Sequence, residues 1–170
     1  MTALYKAKST GKNNYTFYTK CLHIANQRRS HIEMSLMPAI ENNEFEIFYQ
    51  PQIDVKKGTM IGCEALIRWN NEVVGNPMPF KFIPIAESGG QIIHIGQWLL
   101  KQALEDLQKI QKTFGLPHFK MSINLSAKEL FDEKFIYKKI ELIKKYKQNT
   151  TNIVFELTET SLIENFHKAQ

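Results

Sequence analysis

Long apolar runs are missing from this sequence of 170 residues. Nowhere do apolar side chains follow one another for even half of the roughly 18–20 residues that cross a bilayer, and the first residues are polar and lysine-bearing. The chain therefore offers neither a membrane span nor a secretory signal. Cysteine is scarce too: Cys21 and Cys63 lie far apart, with no CxxC and no histidine at metal spacing. That excludes a disulfide-stapled miniprotein and fits free thiols in a reducing cytoplasm. Eight glycines and six prolines are too few for a collagen-like chain, and 43% apolar residues are too many for a disordered one.

What is present is the composition of a globular protein, long enough for one domain of about 100–150 residues with an arm to spare. The net charge of +5 is unevenly placed. Residues 1–32 carry Lys6, Lys8, Lys12, Lys20, Arg28 and Arg29 and no acid, whereas residues 33–170 hold 16 basic and 17 acidic side chains. The basicity belongs to an arm and the body is near neutral. The lysines between Lys128 and Lys147 sit among Glu129, Asp132, Glu133 and Glu141, so they read as a solvated helix surface rather than a nucleic-acid interface.

Along the chain, residues 2–9 predict a short helix and 15–19 a short strand, too little to enclose a core. Apolar residues at helical intervals from Leu22 to Ile40 predict a connecting helix over 20–41, with Pro38 near its end. Phe45, Ile47 and Tyr49 alternate in a strand that Pro51 is expected to close, and Met60 to Trp69 form a second strand beyond the turn Lys56-Lys57-Gly58-Thr59. Residues 70–84, with Gly75, Pro77 and Pro79, read as a loop. Ile92, Ile95, Leu99, Ala103, Leu107, Ile110 and Phe114 predict a long amphipathic helix ended by Gly115. A strand over 119–124, one or two helices over 127–147, and a strand over 152–157, expected to be buried on both faces, complete the pattern, with a further helix from Thr158. The alternation from residue 60 onward predicts parallel pairing and the α/β class.

Three strands end in polar residues that a purely structural strand would not choose: Glu64, Asn124 and Glu156. In a parallel α/β barrel the carboxyl ends of all strands share one face, where such side chains converge. Two carboxylates and an amide make an all-oxygen set suited to Mg²⁺, Mn²⁺ or Ca²⁺ rather than zinc. Taken singly, each residue also has a plainer reading, as a solvated acid or, for Asn124-Leu125-Ser126, as the N-cap of the next helix.

The motifs together are recognisable. Glu64-Ala65-Leu66-Ile67-Arg68-Trp69, preceded by Tyr49-Gln50-Pro51 and followed by Phe82-Ile83-Pro84-Ile85-Ala86-Glu87, Asn124-Leu125-Ser126 and Glu156-Leu157-Thr158-Glu159, closely resembles the EAL domain family. The resemblance implies a (β/α)₈ TIM-type barrel and a bacterial signalling phosphodiesterase that hydrolyses cyclic di-GMP to linear pGpG. It implies metal ligation by Glu64, Asn124 and Glu156, with Glu64 also catalytic, and contacts from Gln50 and Arg68 to the dinucleotide. Glu159 would brace a catalytic loop from later in the barrel. Paired Mg²⁺ or Mn²⁺ ions would activate water for in-line attack and steady the leaving oxygen. Arg68 has a physical case of its own, since a guanidinium fork suits a phosphate, although stacking or an ion pair on the strand surface is the alternative.

Residues 1–19, with Ala3-Leu4-Tyr5-Lys6-Ala7-Lys8, Gly11-Lys12-Asn13 and Phe17-Tyr18, resemble the end of a GGDEF, or diguanylate cyclase, domain. The expected organisation is a GGDEF-like remnant over 1–19, a linker helix over 20–41 and the N-terminal half of an EAL domain over 42–170. The family's later parts, an Asp-Asp-Phe-Gly segment, a catalytic lysine and a further glutamate and glutamine, have no counterpart here. The usual His-Pro after the Arg-Trp pair is Asn70-Asn71. This polypeptide alone is accordingly expected to be inactive and either insoluble, molten or self-associated, with pairing to another EAL or GGDEF chain as one outcome. The alternative is a catalytically silent remnant that binds the dinucleotide or docks on a partner.

Overall fold

The computed structural model describes residues 20–157; the expected elements at 2–9 and 15–19, the helix from Thr158, and Glu159 lie outside them. Helix α1 (Lys20–Glu41) matches its expected bounds and buries Ile32, Leu36 and Ala39. Asn43, in the left-handed region at φ 57°, turns the chain into β1 (Phe45–Asp54). A tight turn then leads to β2 (Thr59–Trp69). In that turn Asp54 Oδ1 accepts from the Lys56 and Lys57 amides at 2.9 and 3.2 Å, and Gly58 supplies φ 64°.

Pro51 does not close β1, contrary to expectation. The strand runs on to Asp54, and β1 is the outermost strand of a sheet ordered β1-β2-β3-β4. An edge strand has one unpaired side, where a missing N–H costs no ladder bond.

The segment read as a loop is in part helix α2 (Pro79–Gly89). Pro79 takes the first helical position, where the amide would have no partner anyway, and Phe82, Ile85 and Ala86 bury one face. Helix α3 (Ile92–Phe114) follows and ends at Gly115, whose φ of 65° suits the left-handed cap. Next come β3 (Lys120–Asn124), a one-turn helix α4 (Ala127–Leu130), α5 (Glu133–Lys145), a 3₁₀ turn over Thr150–Asn152 and β4 (Ile153–Glu156).

Strands β2, β3 and β4 are parallel, as the alternation predicts, whereas β1 runs antiparallel to β2. This is an α/β fold made of part of a TIM-type barrel. Its core lies between the helices and one face of the sheet, where Cys63, Ala65, Ile67, Met121 and Ile123 meet Ile95, Leu99, Leu100, Ala103 and Leu107. Phe45, Trp69 and Phe82 pack with ring centroids 5.4–5.9 Å apart, and Trp98 lies 5.6 Å from Phe45. Contrary to expectation, β4 is not buried on both faces: Val154 and Phe155 are each 36% exposed. It is the last strand of the described sheet, and the face opposite the helices carries no described cover.

The two cysteines differ sharply in access. Cys21 is exposed, whereas Cys63 lies in the core with its Sγ 3.7 Å from Met121 Sδ, and burial pushes its thiol up to about 11. A thiol reagent at neutral pH is expected to label Cys21 at once and Cys63 only on unfolding. Two equally fast thiols in the native state would contradict this packing.

Candidate functional site

Strand alternation separates the two faces of β2. Cys63, Ala65, Ile67 and Trp69 turn toward the helices, so Glu64, Leu66 and Arg68 turn the other way. Register then decides what stands beside them: Gln50 on β1 is the direct partner of Glu64, Glu64 pairs with Ser122 on β3, and Asn124 pairs with Glu156 on β4. The structure thus gathers Gln50, Glu64, Asn124 and Glu156 from four adjoining strands onto one face. A direct contact joins two of them, with Asn124 Nδ2 donating to Glu64 Oε1 at 2.7 Å.

The alternative role of Asn124 as a helix cap is taken by its neighbour. Ser126 is the N-cap of α4: its hydroxyl accepts from the Glu129 amide at 3.3 Å, and Glu129 Oε2 accepts from the Ser126 amide at 3.0 Å. Asn124 is left free to face Glu64. Behind it, Glu129 Oε1 forms a 2.9 Å ion pair with Lys139, both side chains being almost fully buried. The amide of Leu125 also donates to Glu156 O at 2.8 Å, fastening β3 to β4 just past the polar residues.

Arg68 lies on the same face as Glu64, four residues further along β2. Its Nη1 donates to Ile67 O at 2.9 Å and its guanidinium sits over the Phe48 ring, 5.2 Å from the centroid. This is the stacking contact that the sequence left open. Gln50 is exposed, and its neighbour Tyr49 is anchored from the other face, the Tyr49 hydroxyl donating to Asp106 Oδ2 at 2.7 Å. Burial alone would raise the Asp106 carboxyl, but hydrogen bonds from Lys109, Tyr49 and Gln102 outweigh it and hold the group below its ordinary range.

Sequence reasoning missed Glu44. Its Oε2 accepts from Trp69 Nε1 at 3.0 Å and from Asn71 Nδ2 at 2.6 Å, while Asn42 Nδ2 donates to Oε1 at 3.1 Å. The bonds from Trp69 and Asn71 hold its carboxyl below the ordinary range despite partial burial. Its main partners lie 25 and 27 residues away, so no local spacing announces it. The Glu129–Lys139 pair was equally unannounced, although Ser126-Ala127-Lys128-Glu129 has the spacing of a capping box.

The donor set can be tested against a divalent cation. Among the described residues no three His, Cys, Asp or Glu side chains cluster, so the candidates are the Glu64 and Glu156 carboxylates and the Asn124 amide. All are oxygen-bearing groups without sulfur or imidazole, which fits Mg²⁺ or Mn²⁺.

Asn124 and Glu156 end β3 and β4, whereas Glu64 lies midway along β2 rather than at the strand end the sequence suggested. A largely parallel sheet with polar residues gathered on one face is the architecture of the TIM-type barrel class. Within that class the chain belongs to the EAL domain family, whose model matches residues 33–170. The biofilm architecture maintenance protein MbaA of Vibrio cholerae is 36% identical over 162 residues, 94% of this chain and 20% of that protein. The bifunctional diguanylate cyclase/cyclic di-GMP phosphodiesterase MucR of Pseudomonas aeruginosa is 28% identical over 159 residues, 94% of this chain and 23% of that protein. This chain thus spans about a fifth to a quarter of those relatives. Among solved structures, the EAL enzyme Bd1971 in a cAMP- and cyclic-di-GMP-bound form is similar with a TM-score of 0.74 and 36% identity, over 85% of this chain and 40% of that one. The PaMucR phosphodiesterase in complex with c-di-GMP has a TM-score of 0.73 at 26% identity, over 82% of this chain and 56% of that one. No helix among the described residues is long and apolar enough to cross a membrane.

Proposed function

We propose that these residues form the first half of an EAL active site that hydrolyses cyclic di-GMP to pGpG in the cytoplasm. The observation that carries the reading is the gathering of Gln50, Glu64, Asn124 and Glu156 on one face, with Glu64 and Asn124 in direct contact. Glu64, Asn124 and Glu156 would hold Mg²⁺ or Mn²⁺, which supplies Lewis-acid activation of water and of the phosphodiester. Gln50 would orient the dinucleotide, and Arg68, whose guanidinium sits over the Phe48 ring, would present its fork to a phosphate. Because Ser126 rather than Asn124 caps the helix that follows, the Asn124 amide is available to Glu64.

The domain boundaries follow the same reading: a GGDEF-like remnant over 1–19, a linker over 20–41 and the first half of the EAL domain over 42–170, with Glu159 bracing a later loop. These 170 residues by themselves would then lack the general base and the second set of ligands, be inactive, and tend to self-associate or pair with another EAL or GGDEF chain. The test is hydrolysis of cyclic di-GMP by the intact native protein and by the 170-residue polypeptide, each with Mg²⁺ or Mn²⁺. Turnover by the intact protein alone is expected. Binding without turnover in the intact protein would favour the silent, dinucleotide-binding remnant.

A further inference from the structure

The hydrogen-bonded latch at Glu44 stands where α1 gives way to β1, and no role in hydrolysis is assigned to it above. On one side it is tied to the helix, since the Glu44 amide donates to Ala39 O at 2.9 Å and Ala39 is buried in the core with Ile32 and Leu36. On the other side it grips the end of β2 and the loop beyond. Trp69 and Asn71 both donate to its Oε2, and the Asn70 amide donates to its backbone oxygen at 2.9 Å.

Asn71 organises that loop from within. Its Oδ1 accepts from the Val74 amide at 3.1 Å, and its own amide donates to Asn76 Oδ1 at 2.7 Å. The loop leaves the carboxyl end of β2, the end at which Asn124 and Glu156 stand on the neighbouring strands. Trp69 and Arg68 are consecutive in the strand and so point to opposite faces. Fixing the indole in the core therefore fixes where the guanidinium enters the site.

We propose that Glu44 is a positioning residue for dinucleotide binding: through Trp69 and Asn71 its carboxylate holds Arg68 and the loop from Asn70 to Asn76 in the geometry that receives the substrate. This rests on the reading of the face as a cyclic di-GMP site. It adds that the end of α1 and the substrate side of the rim share one carboxylate, so binding depends on how α1 is seated.

The experiment is steady-state hydrolysis of cyclic di-GMP by the intact native protein with Mn²⁺. Glu44→Ala is expected to raise KM by about tenfold or more while kcat stays within about twofold, because the lost bonds act on binding rather than on the reacting atoms. Glu44→Gln is expected to restore KM, since its carbonyl oxygen can accept from both Trp69 and Asn71. A role confined to stability would lower the active fraction, hence the apparent kcat, and leave KM alone. Should Glu44→Ala fail to fold, Asn71→Ala carries the test from the loop side with the same expected rise in KM. When both fold, the double variant is expected to be no worse than the worse single one.

An unchanged KM in the variants that fold, or a loss of kcat alone, overturns the proposal. If the wild-type protein does not turn over, equilibrium dialysis of cyclic di-GMP with Ca²⁺ reads the same ratio as a Kd, with a rise of about tenfold expected. A wild-type protein that neither hydrolyses nor binds cyclic di-GMP overturns the site reading together with this proposal. Tight wild-type binding that both variants leave unchanged overturns this proposal alone.

Discussion

Glu129→Ala is expected to destabilise the domain by about 3–5 kcal/mol, because it strands the Lys139 ammonium in the core. Lys139 and Glu129 are 96–97% shielded from solvent, and among the described residues Lys139 Nζ otherwise has a 3.4 Å bond to Gly96 O and the Phe155 ring, 6.0 Å to its centroid. The same substitution removes the acceptor for the Ser126 amide and so weakens the start of α4. Gly96 belongs to this device: a Cβ there would stand 1.9 Å from Glu129 Oε1, so Gly96→Ala must displace the carboxylate and is expected to destabilise as well. Urea unfolding of the intact protein, followed by the fluorescence of Trp69 and Trp98 in the core, reads both effects. Glu129→Ala combined with Lys139→Met is expected to recover part of the loss, since no charge is then left unpaired. If the double variant is no better than Glu129→Ala alone, capping rather than charge burial governs the segment.

The parts of the fold that the sequence made legible are those in which one local period dominates. In α3 the apolar residues from Ile92 to Leu107 recur every three or four positions, and one helix face is buried accordingly. The regions misread are those where proline or tertiary context overrides that period. Gly75, Pro77 and Pro79 suggested a loop over residues 70–84, yet Pro79 begins a helix, and Pro84 is carried inside it because Phe82, Ile85 and Ala86 have a core to enter. Pro51 looked like a strand end, and only the position of β1 at the sheet edge makes it harmless. The apolar run from Ile153 to Phe155 suggested burial on both faces, but how much of a strand is covered depends on its neighbours, which the strand's own residues do not encode.

The site divides along the same line. Glu64, Asn124 and Glu156 stood out because polar residues in otherwise apolar strands are unexpected; Asn124 and Glu156 do end their strands, Glu64 lies midway along β2, and register brings all three to one face. The ties that hold them depend on partners distant in sequence. Asn124 and Glu64 are 60 residues apart, and Gln52 Nε2 reaches the buried Ser122 hydroxyl at 3.2 Å across 70 residues. Gly62 lies between those two strands, and a Cβ there would come within 2.6 Å of Lys120 O. No window of sequence contains both halves of such a contact.

Turnover of cyclic di-GMP by the intact protein is expected to fall by more than about 100-fold in Glu64→Gln, because that substitution keeps the shape and removes the charge that a divalent cation needs. The glutamine oxygen can still accept from Asn124 Nδ2, so the fold is expected to be retained. Metal titration separates the two roles given to Glu64. If the residue mainly ligates, raising Mn²⁺ restores part of the rate; if it serves the reacting water directly, the rate stays low at any metal concentration. Full activity in Glu64→Gln would remove Glu64 from the site. Asn124→Asp approaches the same question without a reaction. It sets a second carboxylate against Glu64, where the amide now donates at 2.7 Å, so the metal-free protein is expected to lose stability through repulsion. Mn²⁺ should relieve that repulsion, which makes the metal-induced rise in melting temperature larger in Asn124→Asp than in the wild-type protein. A rise of the same size in both would mean that the cation binds elsewhere, and Glu64 and Asn124 would then be partners in a structural hydrogen bond rather than joint ligands.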